Sequence, residues 1–292
     1  MSIRLASAVA ATFFENGFKT LKTAAVFLDL TAAHNTIWHT GLLYELSKCL
    51  PLWCVQTVEL LVRNRRFRVH MGEDVSSWQR QVNGLPHGSV LALTLFNLYI
   101  NDLPVTHGRR FIYADDICCA LQVETFSEME CTLRADLAKY CQLWCLEPST
   151  SKTVTSVFHL HNNRSRCELN VHMNGQRLKH DPYPVYLGVT LDQTISHTEH
   201  LSRSAAKLKS RNNLIVKLTG TSWGASASTV RTSALALCYS VAEYCCPVWV
   251  RSSYTNLIDV QLHSALRLIS GCLQPTQLSA ASAQQCCTFS IL

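Results

Sequence analysis

The sequence has few charged residues, no regular cysteine spacing and no apolar run long enough to span a membrane. Charged residues make up 16% of its 292 residues and hydrophobic residues 48%, a balance that is typical of a globular chain and excludes a disordered one. The 14 cysteines include no Cys-x-x-Cys pair, and several are neighbours, as Cys118 and Cys119 are. Such spacing does not indicate a disulfide framework, so we expect reduced, buried thiols in a reducing compartment.

A bilayer-spanning segment is also lacking. The uncharged stretch from Gln81 to Asn101 includes Asn83, Pro86 and Asn97 and is too polar to cross a membrane. The first 15 residues, with one arginine and several alanines, weakly resemble a signal peptide, but an amphipathic helix explains them better. The sequence therefore predicts no membrane partner.

The net excess of positive charge lies in the second half of the chain. Residues 1–150 carry a net charge of −1 and residues 151–292 a net charge of +7. Arg203, Lys207 and Arg211 follow at four-residue intervals, so they share one face of a predicted helix. That face is either a phosphate-binding stripe or an ordinary solvated surface, and charge alone favours the solvated surface.

A second basic cluster lies in the first half. Arg63, Arg65, Arg66 and Arg68 surround Phe67. Arginines beside an aromatic ring can hold a nucleic-acid backbone while the ring stacks on a base. The alternation of apolar and charged residues over 66–71 is equally typical of a charged turn that enters a strand, and charge alone does not decide between the two.

Hydrophobic periodicity predicts a mixed fold. Helices are predicted near 5–17, 40–48, 52–63, 89–102, 126–145, 198–218, 226–240 and 256–269. Strands are predicted near 22–29, 66–71, 78–82, 109–114, 117–121, 153–160, 168–173 and 184–190. Asn174-Gly175 is a hairpin-turn signal between two short extended runs. Strands and helices mix up to about residue 190 and helices follow, which predicts an α+β region and then a helical one.

Carboxylates mark the candidate chemistry. Asp29 ends an apolar run that is typical of a buried strand, and a carboxylate there is costly unless it is paired or binds a cation. Asp115 and Asp116 lie between two apolar runs, as at the tip of a tight hairpin, and two such neighbours need a counter-charge. On adjacent strands, Asp29 and Asp115 could hold two Mg²⁺ ions about 3.5–4 Å apart. Taken singly, a solvated turn or a helix cap explains each of them better.

A glycine- and proline-rich loop separates these carboxylates. Gly84 and Gly88 permit a close backbone approach, as is needed beside a nucleotide or template. Ser89 is suited to cap the apolar helix that follows. Taken alone, this loop is an ordinary turn.

In this order, the segments resemble the palm of reverse transcriptases, above all those of non-LTR (LINE-type, jockey-like) retrotransposons. AVFLDLTAAHNTIWH resembles the first palm motif, GLPHGSVLALTLFNLYINDLP the second and FIYADDICCALQ the catalytic YADD hairpin. Leu146-Glu147-Pro148 with Ser151-Lys152-Thr153 resembles the next motif, Tyr186-Leu187-Gly188-Val189 the primer-grip turn, and residues 205–249 the thumb region. The likeness covers roughly residues 15–275, and five motifs in family order are highly specific.

The resemblance implies a fold and a division into domains. The fold is α+β: a right-hand polymerase palm, an antiparallel sheet with packed helices, followed by an all-helical thumb. Residues 1–20 are expected to be a remnant of fingers or connector, 21–196 the palm, 197–270 the thumb-like region and 271–292 a divergent tail.

The same resemblance implies an RNA-directed DNA polymerase with two Mg²⁺ ions, Mn²⁺ being an alternative. Asp29, Asp115 and Asp116 match the metal-binding catalytic carboxylates, and Lys152 matches the general acid for pyrophosphate. The matching nucleotide-binding positions are His34, His87, Gly88 and Tyr113. The primer grip matches Tyr186, Leu187 and Gly188, and the residues expected on the nucleic-acid backbone are Arg203, Lys207 and Arg211. RNA template, DNA primer and deoxynucleoside triphosphates are the implied partners.

The chain also departs from the family pattern. His34 stands where Phe or Tyr is expected, Asn35 in place of Asp, His87 in place of Gln and Leu93 in place of Pro. A histidine at the first of these positions could loosen discrimination against a ribose 2′-hydroxyl. About 20 residues precede the first palm strand, so we expect a truncated copy that has lost most of its fingers, with fingers or endonuclease supplied by a second polypeptide.

Two alternatives to an active polymerase stay open. One is a catalytically dead nucleic-acid-binding remnant, and the other is a translated relic without function. For all three, the family implies an intracellular location in the cytoplasm, the nucleus or both.

Overall fold

The structure is a computed structural model that describes residues 3–17, 21–30, 33–86, 88–101, 106–143, 148–160, 167–220 and 224–271. Its contacts divide the chain into two compact units. The sheet unit comprises residues 17–159 and 166–182, and the helical unit comprises residues 1–16, 160–165 and 183–292. The predicted domain boundaries at 20/21 and 196/197 stay a prediction.

The sheet unit alternates strands and helices up to residue 180. Its helices are α2 (Ala33–Thr36), α3 (His39–Cys49), α4 (Leu52–Val62), α5 (Val90–Ile100) and α6 (Phe126–Leu143). Its longer strands are β1 (Lys22–Leu28), β6 (Arg109–Tyr113), β7 (Asp116–Val123) and β8 (Val154–Phe158). Its two-residue strands are β2 (Arg66–Phe67), β3 (His70–Met71), β4 (Asp74–Val75), β5 (Gln79–Arg80), β9 (His172–Met173), β10 (Gln176–Arg177) and β11 (Lys179–His180).

A five-stranded sheet in the order β11-β8-β1-β7-β6 forms the centre of this unit. β1 pairs antiparallel with both β7 and β8, and β6 pairs antiparallel with β7. Six of the seven residues of β1 are buried, because neighbouring strands and packed helices cover them on every side. The run of apolar residues 24–28 is the sequence signature of such a central strand.

The core of the sheet unit lies between β1, β7 and the helices. Phe96 and Tyr99 of α5 are almost completely buried, and so are Met129, Leu133 and Leu137 of α6, which follow at four-residue intervals on one helix face. Burial of these side chains holds the central strands in place. The ends of β1 and β7, where the candidate catalytic residues lie, are therefore part of a packed scaffold.

The helical unit contains one long helix and several shorter ones. It consists of α1 (Ile3–Asn16), the hairpin strands β12 (Val185–Tyr186) and β13 (Val189–Thr190), α7 (Thr198–Leu218), α8 (Ala227–Ala234), a π-helical turn (Leu235–Tyr239), α9 (Ser240–Ala242), α10 (Cys246–Trp249) and α11 (Asn256–Ser270). Leu201, Leu208 and Ile215 of α7 form its core together with residues of α8 and α11. They recur every seven residues, as expected for one buried stripe of a helix.

The predicted elements are largely confirmed. Each predicted helix is present within two or three residues of its expected ends, including α1 in the segment that weakly resembles a signal peptide. Asn174 and Gly175 both have positive φ, 50° and 77°, in the turn between β9 and β10, the conformation of a tight hairpin turn. Ser89 precedes α5 as predicted, but its side chain makes no capping hydrogen bond.

Two further findings concern the described residues only. No helix among them is long and apolar enough to cross a membrane. The nine cysteines whose side chains the structure describes, Cys118 and Cys119 among them, are all free thiols. Burial raises the pKa of Cys118 well above its ordinary value, and the neighbouring Cys119 adds to the effect, so this thiol stays protonated and behaves as a small apolar side chain.

Candidate active site

The ends of two paired strands bring the predicted carboxylates together. β1 and β7 run antiparallel, and their last paired residues are Leu28 and Ile117, so Asp29 and Asp116 are the next residues of the two segments beyond that pair. Side chains that face each other across an antiparallel pair lie about 4.5–5.5 Å apart at Cβ. The pairing of β1 with β7 therefore brings Asp29 and Asp116 close together, although they are far apart in the sequence.

Asp115 lies at the tip of the hairpin between β6 and β7. Tyr113 pairs with Asp116 at the last rung of the ladder, and Ala114 adopts a left-handed conformation with φ of 52°. A positive φ at an alanine is strained, and here it closes the turn in two residues. The tight turn confirms the predicted hairpin and keeps Asp115 and Asp116 side by side.

The negative charges of Asp115 and Asp29 both act on Asp116. The pKa of Asp116 is raised, first by partial burial and then by the negative charges of Asp115 and Asp29. Repulsion of this kind favours either a proton or a cation at the site. The three residues singled out in the sequence thus form one electrostatic cluster.

Asp29 is also tied to the loop that carries Lys152. The backbone carbonyl of Asp29 accepts a hydrogen bond from the Ser149 amide at 2.8 Å, and its amide donates to Thr153 Oγ1 at 3.4 Å. Lys152 Nζ lies 3.5 Å from Asp29 Oδ2. The structure therefore places Lys152 beside a candidate metal ligand, whereas Leu146 and Glu147 of the same motif lie outside the described residues.

One oxygen of Asp29 is enclosed and lacks a hydrogen-bond partner. Although 44% of the side chain is exposed, Oδ2 itself is buried and makes no hydrogen bond, since Lys152 Nζ, 3.5 Å away, forms a loose ion pair with it but no hydrogen bond. A buried carboxylate oxygen without a partner is costly. A cation at this oxygen would remove that cost.

The donor set fits Mg²⁺ better than a softer metal. Carboxylate oxygens are hard ligands, and Mg²⁺ typically takes only one or two of them from a protein and completes its octahedron with water and substrate phosphates. In the described part of the chain, no group of three or more His, Cys, Asp or Glu side chains is arranged so that it could hold a metal ion by itself. The open pair of strand ends is therefore compatible with Mg²⁺ and substrate together.

The glycine-rich loop packs against the segment that follows Asp29. The Gly84 amide donates to the Ile37 carbonyl and the Leu85 amide to the His34 carbonyl, both at 2.8 Å. A Cβ at Gly84 would lie 2.7 Å from the backbone oxygen of Asn35, and Gly84 has φ of 88°. Only glycine satisfies both conditions, so the backbones approach closely within the chain here, and the predicted approach to a nucleotide or template stays a prediction.

His34 and Gly88 line one cavity of about 340 Å³ beside α5, together with Leu85, Pro86 and Ser89. The His34 ring packs on Phe96 with the ring centroids 4.6 Å apart. Gly88 has φ of 81°, but a Cβ there would meet no described atom within 4 Å. Among the described residues, its predicted close approach therefore has no partner, and His87 lies outside them.

The predicted primer-grip residues form a tight hairpin in the helical unit. Leu187 and Gly188 both have positive φ, 48° and 75°, as in a type I′ turn between β12 and β13. The Leu187 carbonyl accepts a hydrogen bond from Tyr244 Oη at 2.9 Å, and Tyr186 is buried. The turn is therefore anchored from below by Tyr244.

The predicted basic stripe lies on α7, but two of its members have partners within the chain. Arg203 Nε is 2.7 Å from Glu199 Oε1, and Arg211 donates to the Leu237 carbonyl. Lys207 is exposed, and the described residues place no carboxylate in contact with it. An exposed ion pair such as Arg203–Glu199 is weak and can exchange its carboxylate for a phosphate.

The structure adds residues to the site that sequence reasoning did not single out. His39 Nε2 makes a hydrogen bond of 2.7 Å with the Gly84 carbonyl, and Thr153 is buried behind Asp29. Both hold backbone in place and neither carries a recognisable pattern on its own. His39 lies within the first palm-like segment, and this position was the only feature of the sequence that could have pointed to it as a site residue.

Comparison with protein-family models matches residues 11–191 to the model described as reverse transcriptase (RNA-dependent DNA polymerase). Among curated proteins, the chain is 27% identical over 274 residues to a probable RNA-directed DNA polymerase from transposon BS of Drosophila melanogaster, covering 85% of this chain and 29% of that protein. It is 26% identical over 188 residues to the RNA-directed DNA polymerase from mobile element jockey of the same species, covering 60% and 20%.

A third relative is the probable RNA-directed DNA polymerase from transposon X-element of Drosophila melanogaster, 24% identical over 85% of this chain and 28% of that protein. The chain thus spans less than a third of the length of these relatives. Among solved structures, telomerase from Candida albicans in complex with a telomeric RNA fragment matches at 10% identity, over 99% of this chain and 55% of that chain, with a TM-score of 0.46. A score at this level supports no inference.

Proposed function

We propose that this chain, which belongs to the reverse transcriptase (RNA-dependent DNA polymerase) family, is the polymerase region of a jockey-like non-LTR element and adds deoxynucleotides to a primer 3′-hydroxyl on an RNA template. The observation that carries the proposal is the carboxylate cluster at the ends of β1 and β7. There the negative charges of Asp29 and Asp115 act on Asp116, and an enclosed oxygen of Asp29 has no hydrogen-bond partner.

The sheet unit corresponds to a polymerase palm in this proposal. Its antiparallel strands β6, β1 and β7 present the three carboxylates at one edge, and α5 and α6 support them from below. The helical unit, with the long helix α7, corresponds to a thumb. This assignment is supported by the order of elements along the chain.

Asp29, Asp115 and Asp116 are the residues proposed to hold two divalent cations. Such ions, when bound, lower the pKa of an attacking hydroxyl and neutralise the charge on a leaving pyrophosphate. Asp29 and Asp115 are the principal ligands, and Asp116 supports them from the neighbouring position. Because the negative charges of these carboxylates lie close together, binding of a cation at this edge of the sheet is electrostatically favourable.

The reaction is a nucleotidyl transfer. The primer 3′-oxygen forms a bond to the α-phosphorus of the nucleotide, the bond from that phosphorus to the bridging oxygen breaks, and pyrophosphate leaves. The primer hydroxyl gives up its proton to solvent. Lys152, whose ammonium group lies beside Asp29, is positioned to return a proton to the leaving oxygen as a general acid.

The nucleotide is proposed to lie over His34, Gly88 and Tyr113, with His87 from the adjoining loop. His34 and Gly88 share the 340 Å³ cavity, and Tyr113 pairs with Asp116. His34 occupies the position at which the sugar 2′-position would be sensed. A smaller ring than Phe or Tyr there predicts weaker rejection of ribonucleotides.

The helical unit is proposed to hold the primer and the template backbone. The turn of Tyr186, Leu187 and Gly188 would position the primer end, and Arg203, Lys207 and Arg211 would contact phosphates. Lys207 is ready for such a contact. Arg203 and Arg211 would have to exchange Glu199 and a carbonyl for phosphate oxygens.

Primer extension tests the proposal. Purified chain, Mg²⁺ or Mn²⁺ and labelled deoxynucleotides are incubated with poly(rA)–oligo(dT), and wild type is compared with the Asp115→Ala/Asp116→Ala double variant. We expect extension by the wild type and its complete loss in the double variant, because the remaining Asp29 cannot hold the cations alone. A matched control is Glu128→Ala, which removes an exposed carboxylate from the first turn of α6 in the same unit.

Failure to extend by folded, RNA-binding wild type would overturn the polymerase proposal in favour of a catalytically dead nucleic-acid-binding protein. Extension that survives the double substitution would show that the activity arises elsewhere or from a contaminant. A cooperative thermal melt of the purified chain establishes that the protein tested is folded.

A further inference from the structure

A ribbon of short strands projects from the sheet unit between α4 and the glycine-rich loop. β2 pairs with β5 and β3 pairs with β4, both antiparallel. Residues 66–80 are exposed without exception. The side chains on this ribbon therefore contribute little to the core, and their chemistry needs another explanation.

Arginines lie opposite one another on this ribbon. Arg66 and Arg80 are direct cross-strand partners, an arrangement that is destabilising for like charges unless an anion lies between them. Among the described residues, no carboxylate forms an ion pair with Arg65, Arg66, Arg68 or Arg80, whereas Arg63 pairs with Glu59. The two acidic residues of the ribbon, Glu73 and Asp74, lie at its far tip.

Aromatic rings accompany the arginines. The Arg68 guanidinium carbon lies 4.9 Å from the centroid of the Trp78 ring, and Trp78 is still 60% exposed. Phe67 is 48% exposed and follows Arg66 in β2, so the two side chains lie on opposite faces of this strand. A ring with one open face beside cations is suited to stack on a planar base.

A cavity of about 670 Å³ lies at the base of the ribbon. Arg65, Arg80, Phe67, Gln81, Asn83 and Leu85 are among the residues that line it. Arg65 Nη1 is enclosed and has no hydrogen-bond partner, although an unsatisfied buried donor is costly. The volume of this cavity is in the range that holds a small ligand, and its cations and amides suit a phosphate joined to a base.

From these residues we propose that the ribbon of residues 64–82 is a binding site for an unpaired nucleic-acid strand. Arg66 and Arg80 hold successive phosphates, Trp78 stacks on a base, and the cavity beside Arg65 receives a neighbouring nucleotide. The site is separate from the carboxylate cluster and needs neither metal nor triphosphate. The inference goes beyond the proposed polymerase reaction, because binding here holds whether or not the chain catalyses extension.

An anionic membrane surface is the competing partner, since Val69, Met71 and Val75 are also exposed on the ribbon. Two features favour nucleic acid. The cavity is lined by amide side chains, which can form hydrogen bonds with the edges of bases, whereas the lipid layer offers no such base edges. The Arg65 nitrogen without a hydrogen-bond partner is enclosed at the base of the ribbon and not at its tip. A lipid surface would instead meet Glu73 and Asp74 first.

Fluorescence anisotropy of the full chain in EDTA tests the site. The probes are a labelled single-stranded RNA of about 12 nucleotides, the same RNA as a duplex, and vesicles of phosphatidylcholine with phosphatidylserine. The variants are Arg66→Gln/Arg80→Gln and Trp78→Leu. The matched controls are Arg177→Gln on another ribbon of the sheet unit and Trp53→Leu, an exposed tryptophan on α4.

We expect Arg66→Gln/Arg80→Gln to weaken single-strand binding about tenfold and to reduce the slope of log K against log salt by about 1.4, about 0.7 for each phosphate that is no longer neutralised. Trp78→Leu should weaken binding roughly 5- to 100-fold, with the salt slope unchanged, because the variant cannot stack on a base. Both effects should be smaller on the duplex, whose bases are already stacked. The two controls should stay within about twofold of the wild type.

The proposal is overturned if the ribbon variants bind single-stranded RNA like their controls, if the wild type does not bind it, or if vesicles are bound and RNA is not. Equal losses on single-stranded and duplex RNA would overturn the selectivity for an unpaired strand. Primer extension by the same preparations is scored separately. If the wild type binds RNA through the ribbon but does not extend a primer, only the polymerase proposal is contradicted. If it extends a primer and the ribbon variants bind RNA as well as their controls do, only this site is contradicted.

Discussion

The ammonium group of Lys152 lies 3.5 Å from Oδ2 of Asp29, within the same loop-to-strand junction that holds the Asp29 backbone. Seventy per cent of the Lys152 side chain is exposed, so the pair is loose and contributes little stability. In the proposed reaction, the contact would place a proton donor and a positive charge beside the same carboxylate.

Replacing Lys152 should separate chemistry from metal binding. We expect Lys152→Leu to lower the single-turnover rate of primer extension by about 10²-fold, the usual contribution of a general acid. Mg²⁺ affinity, measured by calorimetry, should stay the same or rise, since a competing cation has been removed from Asp29. Lys179→Leu, an exposed lysine of the same unit, is the control. Loss of Mg²⁺ binding in Lys152→Leu would contradict the assignment.

Removing the charge of Asp116 should stabilise the metal-free protein. The pKa of Asp116 is raised in the folded state by burial and by Asp115 and Asp29. Folding therefore favours the protonated form of Asp116. The contribution of Asp116 to the free energy of unfolding is complete below the unfolded pKa of 3.8, and it is lost as the pH rises through the raised pKa of the folded state. In EDTA at about pH 7, Asp116→Asn should melt at a higher temperature than the wild type.

The difference in melting temperature between wild type and Asp116→Asn should disappear below pH 3.8, where the side chain at position 116 is neutral in both proteins. Mg²⁺ should reverse the order at about pH 7, because it stabilises only the protein with its full set of carboxylates. Asp74→Asn is the control for a loss of one negative charge. An Asp116→Asn variant that melts below the wild type in EDTA at neutral pH would argue against mutual repulsion in the cluster.

Two glycines with the same backbone conformation should respond differently to alanine. Gly84 has φ of 88° and would place a Cβ 2.7 Å from the Asn35 carbonyl oxygen, whereas Gly72 has φ of 64° and would meet nothing within 4 Å. Gly72→Ala should cost about 1 kcal/mol for the left-handed backbone alone. Gly84→Ala should cost about 3 kcal/mol or more, because the backbone of residues 34–39 cannot give way. Urea denaturation gives both values, and equal losses would exclude the close approach.

His200 should make the helical unit sensitive to mild acid. Burial, together with His197, Lys207 and Arg203, lowers the pKa of His200 from 6.5 to about 4, and its Nδ1 accepts a hydrogen bond from the Thr190 amide. The neutral form is favoured in the fold. Its contribution to stability is therefore complete above pH 6.5 and is lost as pH falls toward about 4.

His200→Gln keeps an acceptor for Thr190 and removes the titration. Urea denaturation between about pH 7 and pH 4 should show that this variant loses roughly 1–3 kcal/mol less than the wild type over that interval. His172→Gln, an exposed histidine of the sheet unit, should follow the wild type. Parallel loss in wild type and His200→Gln would assign the acid sensitivity to other groups.

The sequence predicted the elements better than their arrangement. β1, β6, β7, α5, α6 and α7 follow from hydrophobic periodicity, which reflects burial of one face or of a whole strand. On the ribbon, strands were predicted near 66–71 and 78–82, but the division of the first into β2 and β3 and the presence of β4 were not, since a ladder of so few bonds depends on its partner rather than on its own pattern. The capping role of Ser89 was wrong in detail, because its side chain makes no bond to the helix.

By itself, the sequence identified the family to which the chain belongs and the residues proposed to carry the chemistry, because the motifs and their order can be read directly along the chain. Only the tertiary structure decided that Asp29 and Asp116 lie at adjacent strand ends, that Lys152 reaches Asp29 and that Arg66 lies opposite Arg80. Those relationships depend on strand register and on loops that return to the sheet. Register and loop return are set by packing of distant segments, which no local pattern of residues encodes.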